Sequence, residues 1–401
     1  MAGTAAEVLA RADELGAISE EPDRLVRRFA TPALTQAADR VTGWMEDAGL
    51  TVRRDPVGNV IGSTGGGAPP LALGSHLDTV PNAGRYDGPL GVLVALAAVE
   101  RLSAGGTQPS VPVEVVAFAD EEGTRFGTSY LGSAAYTGSF ERDWLELADA
   151  DGITLGDAIS AAGGDPEAAI GSPAPQLAGY LEVHIEQGPV LEREDVPVGV
   201  VSAVAGQTRI RVVILGEAGH AGTLPMTARR DALAAAAEVV LAVERVGRST
   251  EGLVATVGAM AHSPNVGNVV PGEARVLLDV RHPEDAVRVR AAEAIRAEVE
   301  RIASARRVEA TWTPRYDTPA VALAPDLRRR LEEAIDATGQ PVRTLVSGAG
   351  HDAVVLSRVC PAAMLFVRCA GGISHDPRES VEEADVAVAL DVVERFLRGY
   401  G

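Results

Sequence analysis

Cysteine is scarce in this chain: Cys360 and Cys369 are the two thiols in 401 residues. Two cysteines do not build a disulfide framework. These two flank the apolar run PAAMLFVR, where buried packing is the expected role. Aromatic residues make up 4%, so the core has to be assembled from alanine, valine and leucine. The first residues, MAGTAAEVLARADELG, carry acids and lack the apolar stretch of a signal peptide. No uncharged apolar run reaches the length of a membrane span. A cytoplasmic, reducing location without a membrane partner is therefore expected. Long Lys/Arg runs are missing too, and 56 acidic against 36 basic residues leave a net charge of −20. A nucleic-acid partner needs a concentrated basic face, so none is expected. The Gly-rich stretch GSTGGGAPP (62–70) lacks the Lys and Ser/Thr ending of a phosphate loop and reads as a hairpin or loop. No GxSxG elbow lies between a strand and a helix, which argues against a serine hydrolase.

What is present points to two domains. The chain is longer than one hydrophobic core usually serves, and 46% of it is hydrophobic. Its first half alternates helix and strand. In TQAADRVTGWMEDAGL the apolar residues Ala38, Val41, Met45 and Ala48 recur at helical spacing, and Gly49 ends the run. VPVEVVAFAD (111–120) is rich in β-branched residues and predicts a strand buried on both faces, as in a parallel sheet. LALGSHLD (71–78) and GYLEVHIEQG (179–188) run from apolar into polar residues, and open α/β sheets bind ligands at such strand ends. From about 208 to 317 the rhythm changes to β-α-β-β-α-β, which predicts a small split βαβ domain. The expected organisation is an α/β domain over 1–207 and 318–401, interrupted by an α+β insert over 208–317.

Four histidines stand in notable settings: His76 in GSHLDTV, His184 in EVHIEQG, His220 in GEAGHAGTLPM and His375 in GGISHDP. Asp78, Asp87, Glu121, Glu122 and Glu186 accompany them. Nitrogen and oxygen donors without cysteine suit Zn²⁺, Mn²⁺, Co²⁺ or Ni²⁺, although no short spacing here is a metal signature by itself. His76 and Asp78 are two apart and face one side of an extended segment. Asp78 can then hold one ring nitrogen while the other binds metal, or the two form a surface pair near a turn. Asp87, in GRYDGPLG, reads as a turn aspartate or as a ligand. Glu121 and Glu122 follow the strand at 111–120. Adjacent side chains diverge, so one can bind metal while its neighbour serves as general base. The other reading makes them acids at a helix N-terminus.

The chain resembles the peptidase M20-like amidohydrolases, in the branch of allantoate amidohydrolase and N-carbamoyl-L-amino-acid hydrolase. The segments that carry the resemblance are GSHLDTVPNAGRYDGPLGV (74–92), DEEGTRFGTSYLGS (120–133), EVHIEQGPVLE (182–192), GEAGHAGTLPM (216–226), NVVPG (268–272), SGAGHDA (347–353) and GGISHDP (371–377). They occur in the family's order and cover nearly the whole chain. The resemblance implies two divalent ions per subunit, Mn²⁺ or Zn²⁺ with Co²⁺ or Ni²⁺ as alternatives. His76, Asp87 and His184 would hold one, and Asp87, Glu122 and His375 the other, with Asp78 behind His76. It also implies Glu121 as general base. M20 peptidases usually carry a glutamate at the position of His184, so histidine there points to the ureido-hydrolysing branch.

The resemblance further implies a metallopeptidase-like α/β catalytic domain whose inserted lid mediates homodimerisation. His220 and Asn268 match lid residues that bind substrate or polarise its oxygen. Arg281 matches the arginine that holds the substrate carboxylate, and Gln187 matches a polar residue of the site. The substrate class is a small ureido acid. A ureido carbon is a poor electrophile, which a metal, an acid/base carboxylate and a positive partner for the oxyanion together overcome. Allantoate is the expected substrate, with N-carbamoyl-L-amino acids or ureidoglycolate as the alternatives.

Overall fold

The structure is a computed structural model. It describes residues 3–106 and 109–400. The chain divides into two units: residues up to Ser202 together with those from Leu323 onward, and Ala203–Ala322.

The first unit is built on a mixed sheet. Across it lie Thr51–Arg54, Val60–Ser63, Val113–Phe118, Leu71–His76, Gly179–Ile185, Ala362–Val367 and Val198–Val204. The four strands from Val113–Phe118 to Ala362–Val367 are mutually parallel. Three of these four are buried at every residue, and Val113–Phe118 at all but Glu114. That burial is the physical reason for their unbroken apolar runs, because a parallel sheet is covered on both sides. Helix Pro89–Ala104, apolar around its whole circumference, is buried along nearly its full length, as such a helix has to be. Helices Ala5–Gly16, Pro32–Asp47 and Glu383–Arg398 bury one face each. GSTGGGAPP contributes a loop and not a hairpin, because the strands on its two sides flank Val113–Phe118 and do not pair with each other. Cys360 and Cys369 are buried, and burial pushes their thiols up to about 12 and about 11.

The second unit has its own core. Its four antiparallel strands lie in the order Glu309–Thr318, Gly206–Leu215, Glu273–His282, Val254–Ser263. Helices Ala232–Ser249 and Asp285–Arg306 pack on this sheet. Strand Glu273–His282 alternates, with Ala274, Val276, Leu278 and Val280 turned inward against Val239 and Ile295. Asp231 caps the first helix by accepting the N–H of Ala234 at 3.0 Å. At the base of the excursion the N–H of Leu323 donates to the carbonyl of Ser202 at 3.0 Å. No helix among the described residues is long and apolar enough to cross a membrane.

Candidate metal centre

Each of the four parallel strands delivers polar groups at or just past its C-terminal end. Leu71–His76 ends on His76, with Asp78 following; Val113–Phe118 runs on into Glu121 and Glu122. Gly179–Ile185 carries His184 as its penultimate residue, with Gln187 beyond, and Ala362–Val367 leads to Ser374 and His375. Asp87 arrives from the loop before helix Pro89–Ala104. Gly88 there has φ +83°, and a Cβ on it would come within 2.5 Å of the His76 ring. Only glycine lets this loop bring Asp87 so close to that imidazole. Asp87 is 5% exposed, so it is not a surface turn aspartate. Glu121 and Glu122 are not helix-terminal acids either, because the next helix begins only at Leu131.

The Asp87 carboxylate is the centre of the arrangement. Its Oδ1 lies 3.1 Å from Nε2 of His184 and 3.8 Å from Nε2 of His76. Its Oδ2 lies 3.0 Å from Nε2 of His375, which is itself 3.3 Å from Oε1 of Glu122. Two donor groups result, His76–Asp87–His184 and Asp87–Glu122–His375, each with its ligand atoms within 4.8 Å of one another. The second ring nitrogens of the two buried histidines are engaged elsewhere. Nδ1 of His76 faces the carbonyl of Asp78 at 3.0 Å and its Oδ1 at 3.3 Å, while Nδ1 of His184 faces the carbonyl of Ile185 at 2.9 Å. Both rings therefore turn Nε2 inward, the orientation that metal-ligating imidazoles adopt. Such a donor set fits two divalent cations sharing one carboxylate.

The charges are strongly coupled. Burial disfavours ionisation of Asp87, but the imidazoles of His184 and His375 outweigh it and hold its carboxyl well below the usual range. Burial and the adjacent Glu122 push Glu121 well above that range. Hydrogen bonding to Asp87 and then Glu122 raises His375 to about 10.

Several neighbours were not singled out from the sequence. The Ser374 hydroxyl donates to Asp87 Oδ2 at 2.9 Å, beside Gln187, a residue the sequence did single out, whose Nε2 donates to the same oxygen at 3.0 Å. Glu182 and His351 converge on His184. Glu182 accepts from the Ser75 hydroxyl at 2.9 Å and from the N–H of Ala353 at 2.8 Å, and His351 pairs with Ser347 at 2.7 Å. SGAGHDA stood out as a segment, but nothing in it assigned His351 a place. Glu186 lies apart from the donor groups: it accepts the N–H of Val190 and of Leu191 and caps a short helix.

The remaining expected residues belong to the second unit. His220 pairs with Val269 in a two-stranded ladder, and the carbonyl of Asn268 accepts the N–H of Ala221 at 2.9 Å, so His220 and Asn268 are neighbours. The fork of Arg281 is engaged by Asp279, with Nε and Nη2 donating at 2.7 and 3.0 Å.

Residues 72–399 match peptidase family M20/M25/M40. The chain is 38% identical over 427 residues to the allantoate deiminase of Arabidopsis thaliana, spanning 98% of this chain and 81% of the plant protein. It is 40% identical over 391 residues to the N-carbamoyl-L-amino acid amidohydrolase of Geobacillus stearothermophilus, spanning 95% of this chain and 94% of that one. Among solved structures, an amidase of the hydantoinase/carbamoylase family from Burkholderia multivorans superposes with a TM-score of 0.93 at 35% identity, over 99% of this chain and 97% of that one. The class is thus a hydrolase of carbon–nitrogen bonds. The chain belongs to peptidase family M20/M25/M40 and is related within it to the allantoate deiminases and N-carbamoyl-amino-acid hydrolases.

Proposed function

We propose that the protein hydrolyses a ureido C–N bond of allantoate, giving ureidoglycine, ammonia and CO₂. The observation that carries this reading is the double donor set around Asp87, with a histidine, His184, opposite His76. His76, Asp87 and His184 would hold one divalent ion and Asp87, Glu122 and His375 a second, Mn²⁺ or Zn²⁺ in preference to Co²⁺ or Ni²⁺. Bound there, the ions supply Lewis acidity and make a water acidic enough to react near neutral pH. Glu121 takes the proton of the attacking water onto its carboxylate and returns it to the departing nitrogen. Water adds to the ureido carbon, the C–NH₂ bond breaks, ammonia leaves, and the resulting carbamate loses CO₂.

The inserted unit acts in this proposal as a lid and as the dimerisation element of a homodimer. His220 stabilises the oxyanion, Asn268 and Gln187 hold the second ureido arm, and Arg281 grips the substrate carboxylate. To do so, the Arg281 fork leaves Asp279. An N-carbamoyl-L-amino acid is the second reading, favoured by the 40% identity to the Geobacillus enzyme. Steady-state kcat/KM measured side by side on allantoate, N-carbamoyl-L-amino acids and ureidoglycolate tests the assignment. Preference for allantoate is expected, because a site that hydrogen-bonds a second ureido arm rejects analogues lacking it. A clear preference for N-carbamoyl amino acids overturns the substrate and leaves the metal chemistry intact.

A further inference from the structure

We infer that Glu379 is a positioning residue for the metal pair, tying the loop that carries Asp87 to the loop that carries His375. The inference rests on the two-ion reading above. Glu379 belongs to neither donor group, yet it is 4% exposed and lies four residues past His375. Its own N–H donates to the carbonyl of Asp376 at 3.0 Å, closing a turn over 376–379 that directly follows His375, whose φ is +56°. Its carboxylate reaches the other loop: Oε1 accepts the N–H of Tyr86 at 2.8 Å and of Asp87 at 3.1 Å.

Those two amides lie in irregular chain ahead of helix Pro89–Ala104, where no helix or strand partner is on offer. Buried amides left without an acceptor are costly, and Glu379 supplies one acceptor to both. The surroundings are shaped for it. A Cβ on Gly84 would lie 2.3 Å from Cβ and 2.4 Å from Oε1 of Glu379, so the missing side chain leaves the space that the carboxylate fills. The other oxygen, Oε2, is buried without a hydrogen-bond partner. Half of the carboxylate therefore goes unused, and what the site draws from Glu379 is one well-placed acceptor oxygen. An amide oxygen at the same place serves equally.

The consequence concerns geometry at the ions. Asp87 is common to both donor groups, and His375 belongs to the second. A shift of either loop changes the spacing between them, and partners lying behind metal ligands typically govern about 10–100-fold in affinity.

The test compares wild type with Glu379→Ala, Glu379→Gln and Gly84→Ala. After chelation and dialysis, folding is checked by circular dichroism, and Zn²⁺ is titrated in competition with a chromogenic chelator. Wild type is expected to take up two zinc ions. Glu379→Ala is expected to weaken at least one of them by about 10–100-fold, while Glu379→Gln stays within about threefold of wild type. Gly84→Ala, which displaces the carboxylate without removing it, is expected to resemble Glu379→Ala. A folded Glu379→Ala that binds both ions as wild type does overturns the inference. So does a Glu379→Gln as impaired as Glu379→Ala. If Glu379→Ala does not fold, the other two variants decide, and wild-type affinity in Gly84→Ala counts against it. A wild type that binds no zinc removes the two-ion reading and this inference together, whereas loss of the inference alone leaves wild-type stoichiometry at two.

Discussion

Oδ1 of Asp78 stands 3.3 Å from Nδ1 of His76, both side chains fully enclosed. The same carboxylate accepts the N–H of Glu121 at 2.9 Å and of Glu122 at 3.2 Å. One aspartate thus fixes the tilt of an imidazole and the backbone path of the two glutamates facing it. Asp78→Asn replaces one of these acceptors by a donor that opposes a backbone N–H. Metal affinity is expected to fall about 10–100-fold in a folded protein, as read by chelator competition. Undiminished affinity would show that His76 needs no such support.

Glu121→Gln keeps the shape of the side chain and removes its capacity to take a proton. The variant should fold, retain its metal content by elemental analysis, and lose about 10²–10⁴-fold in kcat. Retention of more than about a tenth of wild-type turnover would assign the proton transfer to another group.

Chelation should abolish activity, and Mn²⁺, Zn²⁺, Co²⁺ or Ni²⁺ should restore it. The pH dependence has a definite sign. In the metal-free chain His375 is raised from 6.5 to about 10 by Asp87 and Glu122. Its contribution to metal-free stability is complete below its unfolded pKa and is lost as pH rises through about 10. An incoming cation has to displace that proton. Metal affinity measured by competition should therefore climb between pH 7 and about 10. A flat profile would exclude His375 from the ligand set.

A symmetric homodimer is expected at micromolar concentration. Sedimentation showing only a 41.5 kDa species contradicts it. If His220 serves the partner's site, mixing His220→Ala with Glu121→Gln chains should restore part of the activity in heterodimers. No recovery in proven heterodimers would mean that His220 acts in its own chain or not at all.

Arg281→Lys keeps the charge and discards the two-pronged grip. The variant should raise KM and lower kcat/KM severely on every carboxylate-bearing substrate. Wild-type kinetics in this variant would leave the carboxylate to another cation.

Much of the first unit was legible because parallel strands announce themselves. VPVEVVAFAD reads as a doubly buried strand, and the polar residues at its end follow directly from that. Asp87 was less legible: GRYDG has the composition of an exposed turn, and only the packing of Gly88 on the His76 ring shows that the turn is buried. Adjacent acids such as Glu121 and Glu122 look like a helix start until the irregular segment before Leu131 is seen. Glu379 could not be read at all, since its partners are the amides of Tyr86 and Asp87, and backbone groups leave no mark in a sequence. Arg281 was recognisable as a residue, and its engagement with Asp279 is local, because the two stand two apart on strand Glu273–His282 and share a face.

The hydrogen bond from Leu323 to Ser202 bears on how the chain folds. Strand Ala362–Val367 must join a sheet begun far earlier in the sequence, with the whole excursion from Ala203 to Ala322 in between. An unstructured excursion of that length would slow the search, because contacts between distant positions carry a loop-closure cost before they return anything. The second unit has its own core, and every strand of its antiparallel sheet comes from within the unit, so it can form first and bring its two ends together. Once it has, Ser202 and Leu323 meet as though joined by a turn, and the sheet that carries the donor groups closes over a much shorter effective chain.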